Sequence, residues 1–98
     1  MCSLLHLNLW KRGLGHVPET VWTETALETL VLAENGLTEV SEQIGQLIRL
    51  RMLDLGHNEL TQIPDALGDL VGLTNFLYLH DNRLSTLPLS LELFAAIL

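Results

Sequence analysis

Cysteine is nearly missing from this chain of 98 residues, where Cys2 stands alone. No intramolecular disulfide and no cysteine-built zinc site can form, and such usage suits a reducing, cytoplasmic setting. Cations are few as well. Five Lys and Arg face twelve Asp and Glu, for a formal charge of −7, whereas nucleic acids and anionic lipid surfaces are bound by basic patches. Nucleic acid is therefore not an expected partner. Aromatic residues make up only 5% of the chain, so aliphatic side chains must supply its core. No apolar run approaches the ~18 residues of a membrane-spanning helix, so membrane insertion is not expected. The amino terminus places no cation ahead of its apolar stretch, which His6 and Asn8 interrupt, so it does not read as a secretion signal. There is no glycine-rich phosphate loop, and no nucleophile, base and orienting group come together by spacing. Neither an enzyme nor a cofactor is expected.

What the chain does have is leucine, 25 times, set in a recurring phrase. LETLVLAENGLTEV at 27–40 returns as LRMLDLGHNELTQI at 50–63. Aligned on that phrase, units begin at Leu4, Leu27 and Leu50, each 23 residues after the last, and a fourth carries one extra residue near its start. A fixed period of this length marks a repeat architecture. The expected organisation is a single domain, 1–98, with units at 4–26, 27–49, 50–72 and 73–96, and with 97–98 as the start of a missing coil or tail. The extra residue should appear as a bulge or a widened loop.

Each unit opens with a period of two, as in Leu30 and Leu32 or Leu53 and Leu55, which lines one side of a strand. Spacings of three or four then take over, as in Ile44 and Leu47 or Leu67 and Leu70, and these suit a short helical return. A lone unit cannot bury its leucine ridge, so like strands must lie side by side. Leu30, Leu53 and Leu77 should share one row, Leu32, Leu55 and Leu79 a second, and Leu37, Leu60 and Leu84 a third. Asn35, Asn58 and Asn82 stand among these leucines, where an amide is costly unless paired. They should satisfy backbone groups where the strand ends, in their own coil and the next.

LETLVLAENGL, LRMLDLGHNEL and FLYLHDNRL, with the tails HVPETV, QIPDALGDL and TLPLSL, resemble the leucine-rich repeat family, whose unit reads LxxLxLxxNxL. The tails are similar to the 23-residue variety found in intracellular scaffolds and many bacterial proteins. The resemblance implies an α/β fold, a right-handed solenoid of about four coils. A curved parallel sheet would line its concave side and short helical or 3-10 returns its convex side. It also implies protein binding through the concave sheet. The first unit departs from the pattern, with Arg12 in place of asparagine and Glu24 in place of leucine, as a terminal coil with one face open to water can. In the second unit Ser41 replaces the proline, which should loosen the turn without changing the fold.

Stacking turns the variable residues into columns. One is His6, Thr29, Met52, Phe76; the next is Asn8, Val31, Asp54, Tyr78; then Trp10, Ala33, Gly56, His80; and beside them Lys11, Glu34, His57, Asp81. The expected partner-binding set is His6, Asn8, Trp10, Val31, Met52, Asp54, Phe76, Tyr78 and His80. Here a protein or peptide would lie in a shallow channel over Ala33 and Gly56, held by Trp10 on one side and by Phe76 and Tyr78 on the other. The extra residue of the fourth unit leaves open whether Phe76 turns inward. Coils in the first and fourth units lie roughly 14 Å apart at the usual strand spacing, too far for His6 and His80 to share a metal ion. His57 with Asp54 or Asp81 leaves two readings, a weak surface metal site and, preferred, solvated polar surface. The chain shows no recognisable polar caps, so two alternatives stand beside a scaffold-like binding module. One is self-assembly into a homodimer or larger homo-oligomer through uncapped coil ends, with 89–98 as an apolar lid if the chain stays single. The other is a regulatory fragment of a longer enzyme.

Overall fold

A computed structural model describes residues 4–74 and 76–85 of the chain. Four short strands form one parallel sheet in the order β1-β2-β3-β4: β1 is His6–Asn8, β2 Thr29–Val31, β3 Met52–Asp54 and β4 Phe76–Tyr78. The register follows the 23-residue period, with Leu7 opposite Leu30, Leu30 opposite Leu53, and Leu53 opposite Leu77 across the extra residue. Between successive strands the chain returns through 3-10 helices, Glu19–Thr23, Glu42–Gln46 and Asp65–Asp69. The parallel sheet and short 3-10 returns fit a leucine-rich repeat solenoid.

The three predicted leucine rows lie in a single core, where Leu30, Leu53, Leu77, Leu32, Leu55, Leu79, Leu37 and Leu60 are buried and Leu84 packs against them half-buried. Ile44, Leu47, Leu67 and Leu70 close that core from the side of the returns. One core residue escaped the period: Trp22, only 1% exposed. It occupies the position held by Gly45 and Gly68 in the next two units, in the same unit where Glu24 replaces a leucine. The large and small positions have in effect been exchanged, so the indole supplies the apolar volume that Glu24 withholds.

The returns are set by backbone geometry more than by proline. Pro18, Ser41 and Pro64 enter their 3-10 helices with nearly the same dihedrals (φ −59, −64 and −67°). The turn at Ser41 is not loosened as expected, because its hydroxyl accepts a hydrogen bond from the Gln43 N–H at 3.0 Å. That bond caps an amide the short helix cannot satisfy itself. The expected bulge falls on Asn75, outside the described residues; just before it the chain adds a fourth 3-10 turn, Val71–Thr74. There Gly72 passes so close to the start of its own unit that a Cβ would sit 2.6 Å from the Leu50 carbonyl oxygen. The coil start at 97–98 and the lid at 89–98 also lie outside the described residues.

The asparagines form a spine. Asn58 donates from Nδ2 to the carbonyls of Leu32, Leu55 and Gly56, and its Oδ1 accepts from the N–H groups of Asn35 and Leu37. Asn35 does the same for Leu9, Leu32 and Ala33 and for Arg12 and Leu14, and Asn82 reaches back to Leu55 and Leu60. The amides thus tie each unit to the one before it, not the one after as expected. The reason lies in the direction of the ladder. Beyond each strand, N–H groups donate towards the following unit, as in Leu9 to Val31 and Lys11 to Ala33, or Leu32 to Asp54 and Glu34 to Gly56. An asparagine carbonyl at the next step accepts from the preceding unit and carries the ladder round the bend. Arg12 follows from this geometry: β1 is an edge strand, so among the described residues no preceding turn needs an amide at position 12.

Candidate functional site

Because alternate residues of a strand point to opposite faces, burying the leucines sends their neighbours outward. Two of the predicted columns are observed in the strand register: His6 pairs with Thr29, Thr29 with Met52 and Met52 with Phe76, while Asn8, Val31, Asp54 and Tyr78 follow two residues on. In the third column Ala33 and Gly56 are buried. Phe76 is 52% exposed, so the extra residue does not turn it inward.

The nine candidate residues do not form one continuous channel. His6, Met52 and Phe76 line a groove of ≈ 320 Å³ near the start of the strands, together with Thr29 and the Glu28–Arg51 ion pair. His6 Nδ1 and the Thr29 hydroxyl are hydrogen-bonded across its floor at 2.8 Å. Tyr78 stacks on Phe76, with ring centroids 6.0 Å apart and planes 15° from parallel, and so extends the groove's aromatic wall along β4. Val31 and Asp54 lie half-buried in the centre of the face, and Asp54 Oδ1 accepts from the Gly56 N–H at 2.9 Å.

Towards the far end of the strands the expected channel over Gly56 is filled. The His80 ring covers it so closely that a Cβ on Gly56 would lie 2.8 Å from His80 Cε1. Without that side chain the ring is free to lie flat across the strand end, edge-on to His57 at 4.7 Å. Trp10, 51% exposed, stands apart. Its Nε1 donates to Glu34 at 2.8 Å, Lys11 Nζ lies 5.7 Å from its ring centre, and Asn8 receives its backbone N–H. The indole therefore belongs to a separate cluster beside Asn8 and Glu34, away from the Phe76–Tyr78 wall.

The column Lys11, Glu34, His57 and Asp81 has a backbone role that side-chain pattern alone does not show. All four are non-glycine residues in the left-handed region, with φ between 52 and 56°. An L-residue there costs about 1 to 2 kcal/mol, and the asparagine that follows in three of the four units holds the bend in place. The signal was the identical position before each asparagine. His57 Nδ1 and Asp81 Oδ2 are 2.7 Å apart, and this hydrogen bond, aided by the charges of Asp81, Glu34 and Asp54, raises the His57 pKa above the ordinary histidine value. Among the described residues no group of three His, Cys, Asp or Glu side chains is arranged to hold a metal ion, and no helix is long and apolar enough to cross a membrane.

A buried leucine and asparagine spine with an outward row of variable side chains defines a repeat protein of the solenoid class. The model of the family described as Leucine rich repeat matches residues 25–84, and the chain belongs to that family. Such domains generally mediate protein–protein interaction and are typically non-enzymatic. No curated protein matches the chain.

Proposed function

We propose that this chain is a protein-interaction module whose outward sheet face receives a protein or peptide partner. The single observation that carries the reading is the groove floored by Thr29 and Met52 and walled by the Phe76–Tyr78 stack. Solvent-facing aromatic and methionine side chains on a rigid sheet can be desolvated by a partner at little entropic cost. The reading takes the solenoid as right-handed, of about four coils at 4–26, 27–49, 50–72 and 73–96. The sheet would lie on its concave side, and the protein would work in the cytoplasm without chemistry of its own.

Affinity capture from the protein's own cells tests it. Tyr78→Ala and Met52→Glu should each lose the captured partner, while Ile48→Glu, exposed on the far side of the coil, should keep it. Equal capture by all of them would remove the basis of the proposal.

A second reading has one observation in its favour. Leu4 and Leu5 are each 41% exposed, and Leu7, Leu9 and Leu14 are only half-buried, beside the open edge of β1. Such an edge invites pairing with a second copy. Sedimentation would then show a concentration-dependent dimer that Leu5→Glu abolishes; a single monomeric species at every concentration would dismiss it.

A further inference from the structure

The groove and the acid beside it specify a kind of partner, given that the outward face is the docking surface. Met52 and Asp54 project from the same face of β3, about 7 Å apart along a strand, and Phe76 and Tyr78 stand beside them in register on β4. Two unlike sites therefore lie side by side: an apolar groove at Met52 and Phe76, and a carboxylate at Asp54, in register with Tyr78 on β4 and bordered by the His80 ring over Gly56. Nearby cations are already engaged. Arg51 pairs with Glu28 at 3.7 Å, Arg83 with Glu59 at 3.1 Å, and Lys11 lies over Trp10. Among the described residues Asp54 is in no ion pair; its Oδ1 accepts from the Gly56 N–H, and the His80 ring closes over the same glycine. Glu34 and Asp81 add to the negative field at this end of the sheet, and the chain as a whole carries −7. His57 turns towards Asp81.

We infer that the partner presents an extended segment with an arginine or lysine two positions from an aliphatic or aromatic side chain. The apolar side chain would fill the groove over Met52 and Phe76, and the cation would meet Asp54 under Tyr78. The spacing follows from the geometry, since side chains two apart on an extended segment point the same way and match the Met52–Asp54 separation. The chemistry follows from the pairing of a carboxylate with an aromatic face, both of which attract a guanidinium or ammonium group. An acidic partner would meet repulsion from Asp54, Glu34 and Asp81 together.

Panning a random-peptide display library on the full chain, with binders then titrated calorimetrically, tests the inference. Enriched sequences should carry Arg or Lys two positions from Leu, Ile, Met or Phe. Their affinity should fall about tenfold or more in Asp54→Asn, the loss expected of a partly desolvated charge pair, and should weaken as salt is raised. Asp54→Asn is the informative variant because its amide oxygen can still accept from Gly56, leaving the fold intact. Acidic or uncharged binders that are lost in Met52→Glu and Tyr78→Ala would overturn the inference while leaving the docking face in place. Binders indifferent to Met52→Glu and Tyr78→Ala, or no binders at all, would overturn both. A second copy as the occupant would appear as dimerisation lost in the same two variants, and would equally contradict a basic partner.

Discussion

The first and third units share the leucine spacing and the strand and 3-10 return, yet they are held differently. In the third unit Leu53, Leu55 and Leu60 are fully buried and Asn58 makes five hydrogen bonds to backbone groups of its own and the preceding unit. In the first, Leu7, Leu9 and Leu14 are half-buried, Arg12 stands where an amide would be, and Trp22 lies inside in place of a leucine two positions on. The difference teaches that the motif is a contract between neighbours. A leucine on β1 is worth less than one on β3 because part of its surface stays open to water, and an asparagine matters when a turn precedes it. Departures from the pattern in the first unit therefore mark its place at the sheet edge, and need no separate functional cause.

The sharpest way to break this comparison is to remove the amide where it has work to do. Asn58→Leu leaves the buried N–H groups of Asn35 and Leu37 without an acceptor, at roughly 1 to 3 kcal/mol each, while the carbonyls of Leu32, Leu55 and Gly56 keep the donors of Asn35, Asn82 and Glu34. The loss should still be a large share of the stability of a domain this small. Arg12→Leu should change it by no more than about 0.5 kcal/mol. Urea unfolding followed by circular dichroism reads both. Next in size, Leu55→Ala should cost about 2 to 5 kcal/mol through the cavity it leaves, whereas Leu9→Ala, already half in water, should cost about 1 kcal/mol. Gly72→Ala comes third, at about 1 to 3 kcal/mol by overpacking against the Leu50 carbonyl, visible as a lowered melting midpoint.

The smallest effect is one of pH, and it separates the fourth-unit end from the rest of the face. The His57 pKa is raised by its hydrogen bond to Asp81, so the folded state holds its proton more tightly than the unfolded one. The stabilisation is fully present below the unfolded value of 6.5 and is lost as pH rises through the higher folded value. Nuclear magnetic resonance titration should place the His57 midpoint above the ordinary value, and Asp81→Asn should bring it down. Because His57 is exposed, the melting midpoint should move only slightly across that window.

The period of leucines made the strands, their register and the outward columns legible, because alternation along a strand fixes which side chains face water whatever the loops do. Three features were less accessible, each for a physical reason. Trp22 breaks the period by trading places with Glu24, which only a paired comparison with Gly45 and Leu47 would reveal. The direction in which the asparagines reach depends on which way the parallel ladder donates, a property of the backbone that side-chain patterns do not encode. The division of the candidate face arises from side-chain conformations: His80 lies over Gly56 and Trp10 turns to Glu34, filling or leaving the channel that the columns alone would have kept open.

The central claim is that each asparagine side chain carries the ladder back to the unit before it. Native-state hydrogen exchange at the amides of Asn35 and Leu37, both held by the Asn58 carbonyl oxygen, tests it most directly. They should exchange only through global unfolding, with the same free energy as the amide of Leu55. Rapid exchange at Asn35 and Leu37 while Leu55 stays protected would contradict it.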